Sequence, residues 1–429
     1  MTERYDQFIA GGGLGGLLSA AILAHQGRKS YLVEKLPFFG GRFTSMRYQE
    51  FEIPTGAVHM IPHSSNGPLG QILLKDLNLP LKIVENEYFT AWYWSHHKPI
   101  IHRNFWGILK TLPRMNQRLF MFRKLLSDAR HSDRHSESFL EYLKACTEDS
   151  QIFQFFNALI GFALSIDISQ LSAAAMFRVF KRLHQKGRPG VPIGGCKAVT
   201  TALTDYIRGK GSKLQKNCEL IKLEMNGSLI ECAICRNRKT NEEISIRANH
   251  FILNLGNPQI NEVLTKSNLS YRLPHVPTAQ GGGFAYRSKE STLRNSVVAY
   301  FPENKYVKGA VEPTILSPNL ASPGEHLLLT HQVFHSTDII RDTRRARDEL
   351  LETFPQLKEE DELCIHTFYK DWPVNYACQG SDLSNFSSII PNLFFVGDGH
   401  KGNDGWMMTE GVAHGVKQVV EKINEQRSD

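Results

Sequence analysis

The residues whose types and spacing can do chemistry cluster first near the N-terminus, where Gly11-Gly12-Gly13-Leu14-Gly15-Gly16 follows Tyr5-Asp6-Gln7-Phe8-Ile9-Ala10. Glycines at 11, 13 and 16 have the spacing of a dinucleotide-binding turn. Gly11 permits a sharp exit from a strand, Gly13 lets a pyrophosphate approach the backbone, and Gly16 lets the following helix pack closely on that strand. The phosphates then rest on unpaired N–H groups at the positive end of the helix, so Leu14 and Gly15 join the glycines as contacts. Glu34 follows Gly16 by 18 residues and ends an apolar run. A carboxylate there accepts hydrogen bonds from ribose hydroxyls.

These groups need elements to hold them. Tyr5 to Ala10 reads as a strand, Leu17 to Gln26 as a helix stopped by Gly27, and Ser30 to Glu34 as a second strand, which together make a βαβ unit. The C-terminus is built alike. Leu393 to Val396 is an apolar strand ending in Gly397-Asp398, and Val412, Val416, Val419, Val420 and Ile423 then recur at helical spacing. Between the two ends, residues 211–255 alternate like a β-meander with Asn226-Gly227 as a hairpin turn, 103–186 read as mostly helical, and 281–370 as mixed. A chain of 429 residues suggests two or three domains. The pattern predicts an α/β fold in which a Rossmann-like nucleotide-binding domain (1–70, 191–256 and 386–429) carries an inserted mixed α+β substrate domain (71–190 and 257–385).

Beyond Glu34 the chain continues Lys35-Leu36-Pro37-Phe38-Phe39-Gly40-Gly41-Arg42. With its double glycine and arginine at this spacing, the sequence resembles the family of FAD-dependent amine oxidases, phytoene desaturases and protoporphyrinogen oxidases. Pro192-Ile193-Gly194-Gly195, Asn217-Cys218-Glu219-Leu220 and Asn392-Leu393-Phe394-Phe395-Val396-Gly397-Asp398 carry the likeness into the middle and end of the chain. The resemblance implies noncovalent FAD. It places Lys35 beside Glu34, the backbones of Gly40 and Gly41 and the Arg42 guanidinium on the cofactor, Leu220 at the adenine, and Gly397 and Asp398 at the ribityl and pyrophosphate region. Ala57, Val58 and His59 would pass the isoalloxazine, and Met408 and Thr409 would approach it from the terminal helix. Two departures stand out. Pro54 replaces an acidic residue usual in the family, and Glu410-Gly411-Val412-Ala413-His414-Gly415 is one residue shorter than the usual terminal spacing.

The expected activity is that of a desaturase- or isomerase-type oxidoreductase, removing hydride to flavin from a hydrophobic small molecule such as a polyene or isoprenoid. An amine oxidase, a protoporphyrinogen-oxidase-like enzyme, and a non-enzymatic prenyl-binding carrier of the GDP-dissociation-inhibitor type are the alternatives. A flavin performs the redox step itself, so no catalytic side chain is assigned. Gly281-Gly282-Gly283-Phe284-Ala285-Tyr286 lacks a third spaced glycine and reads as a strand-edge bulge rather than a nicotinamide site, so electrons leave to dioxygen, a quinone or another carrier, or return to the same substrate. Cys232-Ala233-Ile234-Cys235 has no second pair at metal-ligand spacing, so no metal is expected. Seven cysteines without a pairing pattern suit free thiols in a reducing, cytoplasmic compartment.

The formal charge of +7 is concentrated, because residues 101–135 hold eight Lys and Arg against Asp128 and Asp133, a net of +6, among many large apolar side chains. Two readings fit: a membrane-surface element through which a hydrophobic substrate enters, or domain helices with solvated cations. Nothing in the balance calls for nucleic acid. Vesicle co-sedimentation separates the two readings, since anionic lipid attracts each cation by about 1 kcal/mol. An interfacial segment pellets the protein at low salt and loses this when Arg114, Arg118, Arg123 and Lys124 become Gln; a protein that stays in the supernatant assigns the segment to the domain.

Overall fold

The computed structural model describes residues 4–93, 98–103, 123–125, 127–134, 136–186, 188–276, 278–294, 296–369, 383–384 and 386–426. Most of the basic stretch 101–135, together with Trp94 and Cys378, lies outside the described residues.

Two seven-stranded sheets organise the chain. In the first, Arg4–Ala10 runs parallel to Ser30–Glu34 on one side and to Glu243–Leu253 on the other, and Leu393–Phe395 joins parallel to the end of Glu243–Leu253. Lys213–Lys216 extends the parallel set beyond Ser30–Glu34, while Cys218–Asn226 and Leu229–Asn237 add an antiparallel meander turned at Gly227, whose φ is +63°. Strands buried on both faces need continuous apolar runs, and Phe8, Ile9 and Ala10 against Tyr31, Leu32 and Val33 supply them. One face packs on the helices Leu14–His25, Gly195–Gly209 and Met408–Glu425 through Leu17, Leu18, Val199, Leu203, Val416 and Val420. The first helix begins at Leu14, three residues before the expected Leu17, because Gly13 already adopts the extended N-cap conformation.

The second sheet runs in the order Glu362–Phe368, Gly281–Ser288, His326–Val333, Val307–Val311, Val298–Tyr300, Phe89–Tyr93 and Lys98–His102. The three glycines at 281–283 are therefore the start of an interior strand. The register irregularity falls at Ala285 and Tyr286 rather than at the glycines, which corrects the expected edge bulge. Helices Phe139–Cys146, Ser150–Leu164 and Ala173–Lys186 cover one face, and Ile339–Thr353 covers the other. Their starts are written locally. Ser138 and Glu141 form a capping box, while Asp149 and Asp338 accept from the N–H groups of Gln151 and Arg341 at 3.0 Å.

A buried acid ties the terminal helix to the segment 63–69. Glu410, in the first turn of Met408–Glu425, is fully enclosed and accepts hydrogen bonds from the backbone N–H of His63 at 3.1 Å and of Leu69 at 2.8 Å. Its side chain lies where a Cβ on Gly67 would stand, so that glycine has no substitute. Burial pushes the Glu410 carboxyl up from the ordinary 4.5 to about 7, against the pull of those two amides. A folded-state value raised above the unfolded one contributes stability that is complete below about 4.5 and is lost as pH rises through about 7. The melting temperature of the wild-type protein minus that of Glu410→Gln is thus expected to be greatest at acid pH, below about 4.5, and to shrink as pH rises through about 7. Thermal denaturation at stepped pH checks it, and a difference that grows with pH contradicts the assignment.

Candidate functional site

The parallel strands Arg4–Ala10, Ser30–Glu34, Glu243–Leu253 and Leu393–Phe395 all end at the same edge of the first sheet, and most of the expected site residues follow those ends. Gly11 has φ of +96°, and a Cβ there would collide with the carbonyl of Asn254. A Cβ on Gly16 would collide with the carbonyl oxygen of Gly11, so helix and strand approach as closely as backbones can. Gly13 caps Leu14–His25 without any side-chain hydrogen bond, and the first turn holds no acid. Its N–H groups are left to bind an anion.

A second glycine turn lies against the first. Gly40, at φ +102°, donates its N–H to the Gly12 carbonyl at 2.7 Å and forms a parallel bridge with Gly13. The Cβ position of Gly41, at φ +55°, is 3.5 Å from the Gly13 Cα. Glu34, 6% exposed, ties the arrangement together by accepting from the N–H of Gly12 at 2.7 Å and of Leu36 at 2.8 Å. Burial raises its carboxyl while those amides pull it down. Glu34 thus has a structural task that spacing alone did not reveal, and an ionised carboxylate keeps lone pairs for further donors such as ribose hydroxyls. Lys35 is exposed beside it. The N–H of Asn217 donates to the Leu36 carbonyl at 3.1 Å, which brings the strand carrying buried Leu220 alongside.

Charge enters from the other end of the chain. Asp398 accepts from the Arg42 guanidinium at 3.1 Å and from the Lys401 ammonium at 2.7 Å, with Lys401 almost wholly enclosed. Two cations around one carboxylate suit a neighbouring dianion such as a pyrophosphate. Gly397, at φ +116°, has its N–H 3.2 Å from the Cβ position of Gly15. Asn254 completes the junction. Its amide Nδ2 donates to the Gly11 carbonyl at 3.0 Å, and its Oδ1 lies 2.7 Å from the Cβ positions of both Gly15 and Gly397. Lys401 and Asn254 were missed by sequence reasoning; the only signal for Asn254 is a polar residue directly after the apolar run Phe251 to Leu253.

Both ring nitrogens of His59 are taken up by backbone groups. The residue is fully enclosed at φ +55°; its Nε2 meets the Glu52 carbonyl at 2.7 Å and its Nδ1 faces the Cys196 N–H at 3.1 Å. The backbone partners fix the tautomer: Nδ1 accepts and Nε2 donates. Burial lowers its pKa to about 4, so the ring is neutral and both nitrogens serve the fold. Ala57 donates to the Arg42 carbonyl at 2.8 Å, and Val58 is buried in the apolar cluster between the second sheet and its helices. Met408 sits at φ +49° at the start of the terminal helix, and the enclosed Thr409 Oγ1 lacks a hydrogen-bond partner within the protein. The glycine cradle, the open helix start, the paired cations and this hydroxyl fit a flavin dinucleotide. Among the described residues no three His, Cys, Asp or Glu side chains form a metal cluster, and no helix is long and apolar enough to cross a membrane.

A family model described as flavin containing amine oxidoreductase matches residues 14–421. The chain is 30% identical over 419 residues to an uncharacterized protein of Methanocaldococcus jannaschii, covering 97% of this chain and 98% of that one. The crystal structure of an oxidoreductase from Methanosarcina mazei superimposes with a TM-score of 0.86 at 27% identity, over 97% of this chain and 99% of that one. Putrescine oxidase shares the fold, with a TM-score of 0.74 at 14% identity over 99% and 100% of the two chains. A glycine cradle closed by residues from both termini, matched over nearly the whole length, makes this chain a member of the flavin-containing amine oxidoreductase family and an oxidoreductase.

Proposed function

We propose that this flavoenzyme binds FAD noncovalently and acts on an apolar small molecule, of polyene or isoprenoid type, as a desaturase or isomerase. One observation carries the reading. The apolar cluster of the substrate domain, built from Phe155, Phe156, Phe162, Phe177, Leu329 and their neighbours, continues without interruption to Val58, Met407 and Met408 at the start of the terminal helix. In this reading the cofactor's reactive end faces the apolar interior through Val58, Met407 and Met408.

FAD, when bound, supplies the two-electron step, accepting a hydride from a C–H bond. The protein's own work is to bind, orient and exclude water. Gly11, Gly13, Leu14, Gly15 and Gly16 offer backbone to the pyrophosphate; Glu34 accepts from the ribose; Arg42 and Lys401 hold Asp398 beside it. Thr409 offers a hydroxyl, and the apolar wall keeps water from the reacting carbon. In a desaturase the electrons then leave to dioxygen, a quinone or another carrier; in an isomerase they return to the same substrate. Amine oxidation and porphyrinogen oxidation rest on the shared fold and on no particular side chain of this chain.

Replacing Glu34 by Ala removes the acceptor for both Gly12 and the ribose. The expected loss is about 1–3 kcal/mol, a rise of roughly 5- to 150-fold in the FAD dissociation constant, measured by flavin fluorescence. An unchanged constant refutes the ribose role. For the substrate class, the FAD-loaded protein is incubated in air with polyene, porphyrinogen and amine panels and the products are separated by mass and retention. Desaturated or isomerised polyenes are expected, whereas turnover confined to amines or porphyrinogens replaces this reading with one of the alternatives.

A further inference from the structure

Two histidines of the substrate domain are unaccounted for by the cofactor site. His331 lies on His326–Val333 and His366 on Glu362–Phe368, the strands on either side of Gly281–Ser288. Their rings stand 6.4 Å apart, edge to face at 72°. All four ring nitrogens are enclosed and none has a hydrogen-bond partner in the protein. Four unmet polar atoms in one place are far from the rule that buried polar groups are paired, so their partners come from outside the chain. Both rings lie deep among other groups, while part of each residue remains accessible. A half-turn of either imidazole about Cβ–Cγ exchanges nitrogens with ring carbons in the same volume.

Glycines make room for the pair. His366 faces Gly283 in register, and its Cε1 is 2.7 Å from where a Cβ on that glycine would stand. His331 faces Gly309, whose bare surface takes the ring of Phe162, 5.3 Å from His331. Alternation along the strands puts Ala285, Leu327 and Leu329 on the same face, within the cluster that reaches Met407 and Met408. A polar pair thus sits in an apolar wall.

We propose that His331 and His366 bind a hydroxyl or carbonyl oxygen of an otherwise apolar substrate. Neutral imidazoles each offer one N–H and one lone pair, which together suit an oxygen that both accepts and donates. Burial lowers their pKa values to about 3 and about 4, in keeping with neutral rings. This inference rests on the apolar-substrate reading above.

The test titrates the FAD-loaded protein with farnesol and with β-farnesene, its hydrocarbon counterpart, following flavin absorbance. In His331→Phe and His366→Phe the farnesol dissociation constant is expected to rise by about tenfold or more while that of β-farnesene changes by no more than about twofold, the scale of a lost buried hydrogen bond. Equal farnesol binding in wild type and variants overturns the proposal, as does an equal loss for both ligands, which marks a packing role. If neither isoprenoid perturbs the wild-type flavin, the apolar-substrate reading fails on its own. A measurement that needs no variant and no isoprenoid then decides the histidines: with ¹⁵N-histidine-labelled wild-type protein and benzyl alcohol as the probe, shifted imidazole resonances from two buried neutral histidines support the pair as an oxygen site. Unshifted resonances overturn it.

Discussion

The contact on which the cofactor site depends is the meeting of Gly11, Gly16 and Asn254 at the end of the first strand. Backbone touches backbone there, because a single methyl on Gly16 would occupy the Gly11 carbonyl oxygen. Asn254 uses the space that side chains vacate, bonding the Gly11 carbonyl and filling the gap between Gly15 and Gly397. Three distant parts of the sequence are thereby fixed to one another within a few ångströms. The helix start, the paired glycine turns and the terminal aspartate inherit their positions from this junction, and a loosely packed junction would spread all of them at once.

Electrostatics follow from that geometry. The helix Leu14–His25 presents its positive end to the crevice, and Arg42 and Lys401 stand on Asp398 from opposite sides of the sequence. The acids that look out of place are each answered by backbone amides: Glu34 by Gly12 and Leu36, Glu410 by His63 and Leu69. Burial disfavours both charges, and the amides offset part of that cost. Carboxylates used in this way act as rivets between loops whose own backbone groups have no strand or helix to join.

Local rules made much of this legible. The spacing of Gly11, Gly13 and Gly16 before a helix, with Glu34 at the end of the next strand, locates the cradle because each glycine answers a steric demand that other residues cannot meet. The βαβ unit and the terminal strand at Leu393 to Phe395 follow from apolar periodicity. What was not legible is long-range. Nothing near Lys401 says that Asp398 will sit between it and Arg42, and nothing near His59 says that Cys196 and Glu52 will claim both its nitrogens. The placement of Gly281 to Gly283 inside a sheet, rather than at its edge, is set by strands 45 and 81 residues farther along, with which no local pattern connects it.

The pairing of Leu393–Phe395 with Phe251–Leu253 has a consequence for biosynthesis. A chain emerging from the ribosome can form Arg4–Ala10, Leu14–His25 and Ser30–Glu34 at once, but Glu243–Leu253 reaches them only after the first half of the chain is made. Asp398, Lys401 and Glu410 follow later still, Asp398 being 145 residues beyond Leu253. Contacts this far apart in sequence form slowly, since the loop entropy is spent before the contacts reward it. A nascent chain therefore holds a phosphate cradle before its ion pair can form. A flavin that binds only the joined arrangement favours it by mass action.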